Sequence, residues 1–484
     1  MSLSRRVLTG LIWQLTARGG DKLLRMGANI ILARLLTPED FGLMQAAFLT
    51  LGAIECAAFL ASDQAIVHYD RGADRGFLNT VFWVAAIRGA IIAAFVVISA
   101  PLVAAYFEYP DQVALFAVIA LQPLLLGLAS PRAQVLVKDL NFKRFSTYRL
   151  ASTAIGMVIS IGLAFALQSA WALVIGQISV MAFQSILSYT VAPFRPRLTF
   201  DREAWTAIKR YGLSAAGTPL LLFFINGAPT LLLGKLASLS VLGAFALNQK
   251  LARLPLDIAH STVGAVVMPA YATLKHDPSR LASAWLRALR GVCLLTVPLC
   301  VLMMVADSWV GAVIFGSRYE QQPGVFAVLV FGGLLNMLLA TVGPIFWAIG
   351  RPSLDRACQI PRVIALFAIA LVLVPEIGAM GMAIAMAISS ATALLFGFRL
   401  GLRVVDLRWL EPVRYCADLL MIGSFAGVLL LAARLLPGLE MPLRIGLFCL
   451  ISIPYGLWTL YAAWSMYTQM KRGTGVIATP ERQT

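Results

Sequence analysis

Long apolar runs of roughly twenty residues follow one another along the chain, separated by short clusters of polar residues, Pro and Gly. Each run is long enough to cross a hydrocarbon core of about 30 Å as a helix. The pattern predicts fourteen spans, near 8–34, 40–63, 77–106, 112–137, 145–167, 170–192, 205–234, 242–272, 280–306, 323–349, 357–375, 377–398, 412–433 and 445–467. The fold class expected is an all-α polytopic membrane protein. Composition agrees, since 60% of the 484 residues are hydrophobic and 13% are charged, about half the charge of an ordinary soluble domain.

The chain also repeats weakly. ARLLTPEDFG at 33–42 aligns with GKLASLSVLG at 234–243, pairing Arg34 with Lys235, Thr37 with Ser238 and Gly42 with Gly243. FAVIALQPLLLGL from Phe116 and FAVLVFGGLLNML from Phe326 repeat at nearly the same offset. The spacing covers six spans, an even number, so two parallel six-helix lobes are expected, related by an axis along the membrane normal. The organisation read from this is an N-lobe at 1–192, a cytoplasmic linker at 193–204, a C-lobe at 205–400, two further spans within 401–467 and a cytoplasmic tail at 468–484. Outer connections such as YPDQ, PEIG and LTPED are short. In the last, Thr37 is placed to cap the second span, with Pro38 at its first position and Glu39 and Asp40 in its first turn.

The net charge of +16 is chiefly a topology signal, not a nucleic-acid footprint. Of 39 basic residues, 24 lie on the termini, the even-numbered connections and adjoining helix ends, against five on the odd-numbered side. Basic loops stay cytoplasmic, so both termini are expected there. The basic MSLSRR start lacks a short apolar region with a cleavage site, so no removable signal is read. The six cysteines are scattered in apolar runs and read as small buried hydrophobes. His68, His260 and His276 fit no metal-ligand spacing, and no phosphate-binding GxxxxGK[ST] loop occurs.

Ten basic residues remain inside spans. Arg149, Arg290 and Arg362 lie near enough to cytoplasmic ends to snorkel, and Asp418 is expected to pair with Arg414. Glu55, central in the second span, is expected to partner a base. Arg18, Asp21, Lys22 and Arg25 fall at i, i+3, i+4 and i+7, a single face of the first span beside Gly19 and Gly20. Asp21 and Arg25 form one i, i+4 pair and leave Arg18 and Lys22 over. Lys250, Arg253 and Asp257 repeat the arrangement in the eighth span, next to a kink at Pro255, and Arg88 lies mid-membrane in the third. A charge near a helix centre costs about 2.5–3.5 kcal/mol unless paired, snorkelled or hydrated. Positives outnumber negatives, so these eight residues are the candidate substrate-binding set for an anion in an aqueous cavity between lobes. Arg suits phosphate through its bidentate fork and Lys as a point charge. An interlobe salt-bridge network without a ligand is the competing structural reading.

The stretch ILARLLTPEDFGLMQ at 31–45, preceded by a helix containing GLIW, resembles the start of Wzx-type oligosaccharide flippases. These form the polysaccharide transporter branch of the multidrug/oligosaccharidyl-lipid/polysaccharide (MOP) exporter superfamily. The resemblance runs the length of the chain and implies a MATE-like arrangement of two lobes plus two C-terminal helices. It implies a bacterial inner-membrane transporter, not an enzyme, that moves undecaprenyl-diphosphate-linked oligosaccharide between leaflets by alternating access. Membrane lipids, a polysaccharide polymerase and chain-length machinery are its implied partners. Related lipid II flippases carry cavity arginines in their first, second and eighth helices. Arg18, Lys22, Arg25 and Arg253 are counterparts by helix, whereas the second span here offers Glu55 and no deep arginine. No cofactor is expected, and coupling to Na⁺ or H⁺ is left open.

Two other classes compete. A multidrug exporter of the same superfamily calls for cavity acids, which are scarce here. A polysaccharide polymerase or glycosyltransferase calls for a large outer loop or an acidic metal motif, and neither is present. Trp13, Gln14, Asn226, Asn248, Gln249 and Asn336 are the polar and aromatic candidates for sugar contact.

Overall fold

The computed structural model describes residues 3–58, 60, 62–139, 141–215, 217–257, 267–320, 322–419, 421 and 423. Spans 13 and 14 past that point, the tail and His260 lie outside the described residues. The described chain is helical and carries no strand. Among the described residues, eight helices are long and apolar enough to cross a membrane, and further helices accompany them. The chain packs as two compact units, one comprising 1–247, 311–320 and 374–379, the other 248–310, 321–373 and 380–484.

The first unit opens with α1 (Leu3–Leu35) and α2 (Pro38–Ala57). Thr37 caps α2 as its sequence requires: the Asp40 amide donates to Thr37 Oγ1 at 3.3 Å, and the Thr37 amide donates to Asp40 Oδ2 at 2.9 Å. α2 ends earlier than the predicted span, and the short α3 (Ser62–His68) takes up the remainder. α4 (Arg75–Tyr106) matches the third span closely.

The predicted fourth span is broken into α5 (Val113–Val118), α6 (Leu121–Gly127) and α7 (Arg132–Lys138). Pro123 and Pro131 cause the breaks, because neither has an N–H to give to the carbonyl one turn earlier. Freed backbone groups at membrane depth need new partners. Those between α6 and α7 find them on α9 (Ala170–Val191) and the residue after it, with α8 (Phe142–Leu167) lying between in sequence. The Tyr189 hydroxyl donates to Leu128 O at 2.8 Å, the Ser130 amide to Ser188 Oγ at 2.8 Å and Ser130 Oγ to Ala192 O at 2.7 Å.

The segment after α9 is extended and anchored to the start of α4. The Arg197 amide donates to Asn79 Oδ1 at 3.1 Å, and Asn79 Nδ2 donates to Thr199 Oγ1 at 2.8 Å. The Asp201 amide donates to Thr80 Oγ1 at 2.8 Å and Trp83 Nε1 to Arg197 O at 3.0 Å. Asn79 and Thr80 are buried. The next predicted span divides into α10 (Arg202–Ala215) and α11 (Gly217–Leu236), and α12 (Leu239–Ala252) follows.

The two repeated stretches meet. A Cβ on Gly42 would lie 1.9 Å from Leu239 O, and one on Gly243 would lie 1.7 Å from Pro38 O. Positions 38 and 239 are separated by 201 residues, as are 42 and 243. The contact is therefore reciprocal, as across a local two-fold axis. Ser238 also repeats the role of Thr37, accepting from the Val241 amide at 3.2 Å. Small residues at a helix crossing let backbones approach where lipid supplies no hydrophobic drive.

In the second unit, the helix Pro278–Phe315 changes direction at Asp307, whose φ is 38°. Asp307 is buried, and its carboxylate accepts from the amides of Gly324 at 2.7 Å and Ala327 at 3.1 Å, at the head of the helix Val325–Ala340. The predicted spans 11 and 12 run as Pro352–Val405, turning at Ile377 and Gly378, where φ of 52° suits glycine. A core forms around Trp285, Tyr271, Ile345 and Phe346. Asp418 pairs with Arg290 at 2.6 Å and not with Arg414, because the Arg290 guanidinium also reaches Tyr415 O at 2.8 Å.

Candidate functional site

α1 packs along α8, with Leu150 against Gly20. That contact sets the charged stripe beside the polar residues of α8 and α9. Arg25 Nε and Asp21 Oδ2 are 3.0 Å apart, and both side chains are about one-third exposed, at 34% and 36%. Thr153 Oγ1 donates to Asp21 Oδ1 at 2.6 Å, while Arg25 Nη1 donates to Gln177 Oε1 at 3.2 Å and Nη2 to Thr153 Oγ1 at 3.4 Å. The only acid of the stripe is thus committed to Arg25 and Thr153. Arg18 and Lys22 stand exposed on the same helix, and Arg18 has no hydrogen bond or ion pair among the described residues. Lys143 of α8 lies over the Trp13 ring at 5.3 Å, adding a further cation to this side.

Arg88 belongs to a different set. Its charge faces Glu55 of α2 and Asp63 of α3, and its Nε is buried with no partner among the described residues. Glu55 thus has the basic neighbour its position demands. Asp63 also accepts from Gln134 Nε2 at 3.1 Å and faces Arg149, which lies over the Phe145 ring.

Lys250, Arg253 and Asp257 fall in the second unit. The helical hydrogen-bond pattern continues through them, from the Arg253 amide to Gln249 O and from the Asp257 amide to Arg253 O, each at 3.0 Å. Arg253 is exposed, while Lys250 and Asp257 are half-buried. Arg362 lies within electrostatic range of Arg253, with Nη1 donating to Gln359 Oε1 at 3.5 Å and Nε buried and unpartnered among the described residues. Span position alone hid it; only its tertiary neighbour marks it. Asn336 is spent on packing, donating to Gly332 O and Ser390 Oγ, and Asn248 is buried. Asn226 lines a cavity of about 430 Å³ between α2 and α11 that also includes Glu55.

At the α2–α12 crossing, Lys235 Nζ and Glu108 Oε1 are 2.7 Å apart, and the Tyr109 hydroxyl donates to Glu39 Oε1 at 2.6 Å. Lys235 holds the Glu108 carboxyl below its usual range, through the hydrogen bond first and its charge second. Burial, and then the bond to Glu39, push the Tyr109 hydroxyl up to about 12. Tyr319 donates to Leu36 O at 2.9 Å and sits edge-on to Phe41.

Comparison with known proteins places this architecture. The chain is 23% identical to the succinoglycan biosynthesis transport protein ExoT of Rhizobium meliloti, over 72% of this chain and 70% of that protein. It is 20% identical to the lipopolysaccharide biosynthesis protein WzxC of Escherichia coli, over 73% and 72% of the two chains. Its fold is similar to the lipid II flippase MurJ in an inward closed conformation, with a TM-score of 0.71 and 12% identity, over 94% of this chain and 99% of that one. An inward-facing MATE-family multidrug transporter of the MOP superfamily gives a TM-score of 0.61 and 17% identity, over 80% and 94%. The fold is the multi-helix membrane fold that these two transporter structures share. Residues 31–322 match the family described as polysaccharide biosynthesis protein, and the chain belongs to that family.

Proposed function

We propose that this chain is a flippase for lipid-linked oligosaccharide, moving undecaprenyl-diphosphate-linked repeat units from the cytoplasmic to the periplasmic leaflet of the bacterial inner membrane. The observation that carries this reading is the surplus of cations over acids on the α1 stripe: Asp21 pairs with Arg25, while Arg18 is exposed and has no hydrogen bond or ion pair among the described residues. Arg253 with Arg362 supplies a second cationic pair on the other unit. Guanidinium and ammonium groups in a partly desolvated setting favour a diphosphate. The relatives' names, which link both to polysaccharide or lipopolysaccharide biosynthesis and ExoT to transport, and the fold shared with the flippase MurJ support the same substrate class. The charge asymmetry of the connections supports cytoplasmic termini.

The test is genetic and chemical together. Replacing Arg18, Lys22, Arg25 and Arg253 with glutamine should make lipid-linked repeat units accumulate on the inner leaflet and reduce surface polysaccharide. Full export by the quadruple variant at normal abundance refutes the proposal. Transport of cationic dyes by the wild type would point to the multidrug class instead.

A further inference from the structure

We infer that the cavity between α2 and α11 is a carbohydrate subsite, which takes a neutral sugar of the transported lipid while the cationic residues take its diphosphate. The inference rests on the flippase reading and adds where the glycan is recognised.

The cavity of about 430 Å³ is built by two helix faces. Gln45, Phe48, Gly52 and Glu55 fall at i, i+3, i+7 and i+10 on α2, and Pro219, Phe223, Asn226 and Thr230 at i, i+4, i+7 and i+11 on α11. Each set forms one face. Gly227 lets the helices close up, since a Cβ there would stand 2.8 Å from Leu49 Cδ1. Gly52 leaves the floor bare beneath the Phe223 ring, 3.6 Å from where its Cβ would be. The volume falls within the range of small-molecule sites and is far larger than a bare ion needs.

Chemistry narrows the occupant. Glu55 is the only charged residue on the walls among the described residues, and the charge of Arg88 offsets it. A diphosphate would meet a carboxylate there with no basic side chain on the walls. An acyl chain would leave Glu55 and Gln45 desolvated without new partners, which is costly. A cation would compete with Arg88 for the carboxylate. A pyranose answers every group present: its hydroxyls donate to Glu55 and both donate to and accept from the amides and Thr230, while its C–H face lies against Phe48 or Phe223.

The experiment uses full-length protein in proteoliposomes and two natural lipids. One is the complete lipid-linked repeat unit from a strain lacking this transporter; the other is the one-sugar lipid from a strain that also lacks the second glycosyltransferase. Translocation is read from exposure of the glycan to membrane-impermeant periodate. Glu55→Gln and Asn226→Ala should each slow the complete unit about tenfold or more, the loss of one hydrogen bond to a charged or amide group. Both should carry the one-sugar lipid at the wild-type rate, which also shows that they are folded. Variants that slow both lipids equally, or neither, overturn the subsite while leaving the flippase reading intact. A wild type that moves neither lipid overturns the flippase reading and this inference with it.

Discussion

Gly243→Ala gives the sharpest energetic test of the fold. In a helix free of neighbours, alanine in place of glycine gains about 1 kcal/mol. Here the new methyl would sit 1.7 Å from Pro38 O, whereas real Cβ contacts essentially never fall below 3.0 Å, so α2 and α12 must part by more than 1 Å. The obstacle is a backbone carbonyl, which has no rotamer to escape into. Overpacking of this kind costs roughly 1–3 kcal/mol, and a backbone obstacle puts it at the upper end, so after the helical gain the net effect should be a loss of about 2 kcal/mol. Gly42→Ala should behave alike, with 1.9 Å to Leu239 O. Because the two contacts are reciprocal, helices already parted by one methyl have room for the second. The double variant should therefore cost clearly less than the two singles added together. Gly162→Ala, whose Cβ would meet nothing within 4 Å, is the control and should be neutral or stabilising. Thermal and SDS unfolding of purified protein measure all four. Equal or greater stability of Gly243→Ala, or strict additivity of the pair, refutes this account of the crossing.

Asp21→Asn keeps the shape of the stripe but removes the charge that neutralises Arg25; a loss of about 1–2 kcal/mol is expected for this part-exposed pair, and unfolding midpoints like the wild type's would contradict it. Tyr109 predicts an alkaline response. Its hydroxyl titrates near 10 when unfolded and about 12 when folded, so its contribution is complete below 10 and disappears as pH rises through 12. Tyr109→Phe should flatten the stability profile over that window, which unfolding scans at stepped pH would reveal. Asp307→Ala removes the acceptor of two amides at the head of the helix Val325–Ala340 and should cost about 1–2 kcal/mol. Asp307→Asn, which keeps one acceptor oxygen, should cost less; the reverse order would rule out capping as the role of Asp307.

Hydropathy sufficed for membrane helices, and local chemistry sufficed for the Thr37 cap and the Asp21–Arg25 pair, because each depends on neighbours within one turn. The fourth span shows where this stops. Its apolar run reads as one helix, yet Pro123 and Pro131 break it, and the groups beside the second break, on Leu128 and Ser130, bond to Tyr189, Ser188 and Ala192, some sixty residues on. Asp418 pairs away from Arg414 for the same reason, since its partner Arg290 is distant in sequence, and so is Arg253, the charged neighbour of Arg362. The repeat pairing Gly42 with Gly243 was visible as letters. That the two glycines touch each other's strands of sequence was not, since a repeat specifies likeness and says nothing of contact.

The extended segment between α9 and α10 looks in sequence like slack cord, rich in Pro and Arg. Its amides are instead threaded onto Asn79 and Thr80, two polar side chains that have no water to turn to. Cutting the gene there to express two halves, or lengthening the stretch with a tag, would therefore strand buried donors and acceptors on α4 rather than merely loosen a joint. Engineering of this protein is better aimed elsewhere, for what joins its helices here is also a piece of their interior.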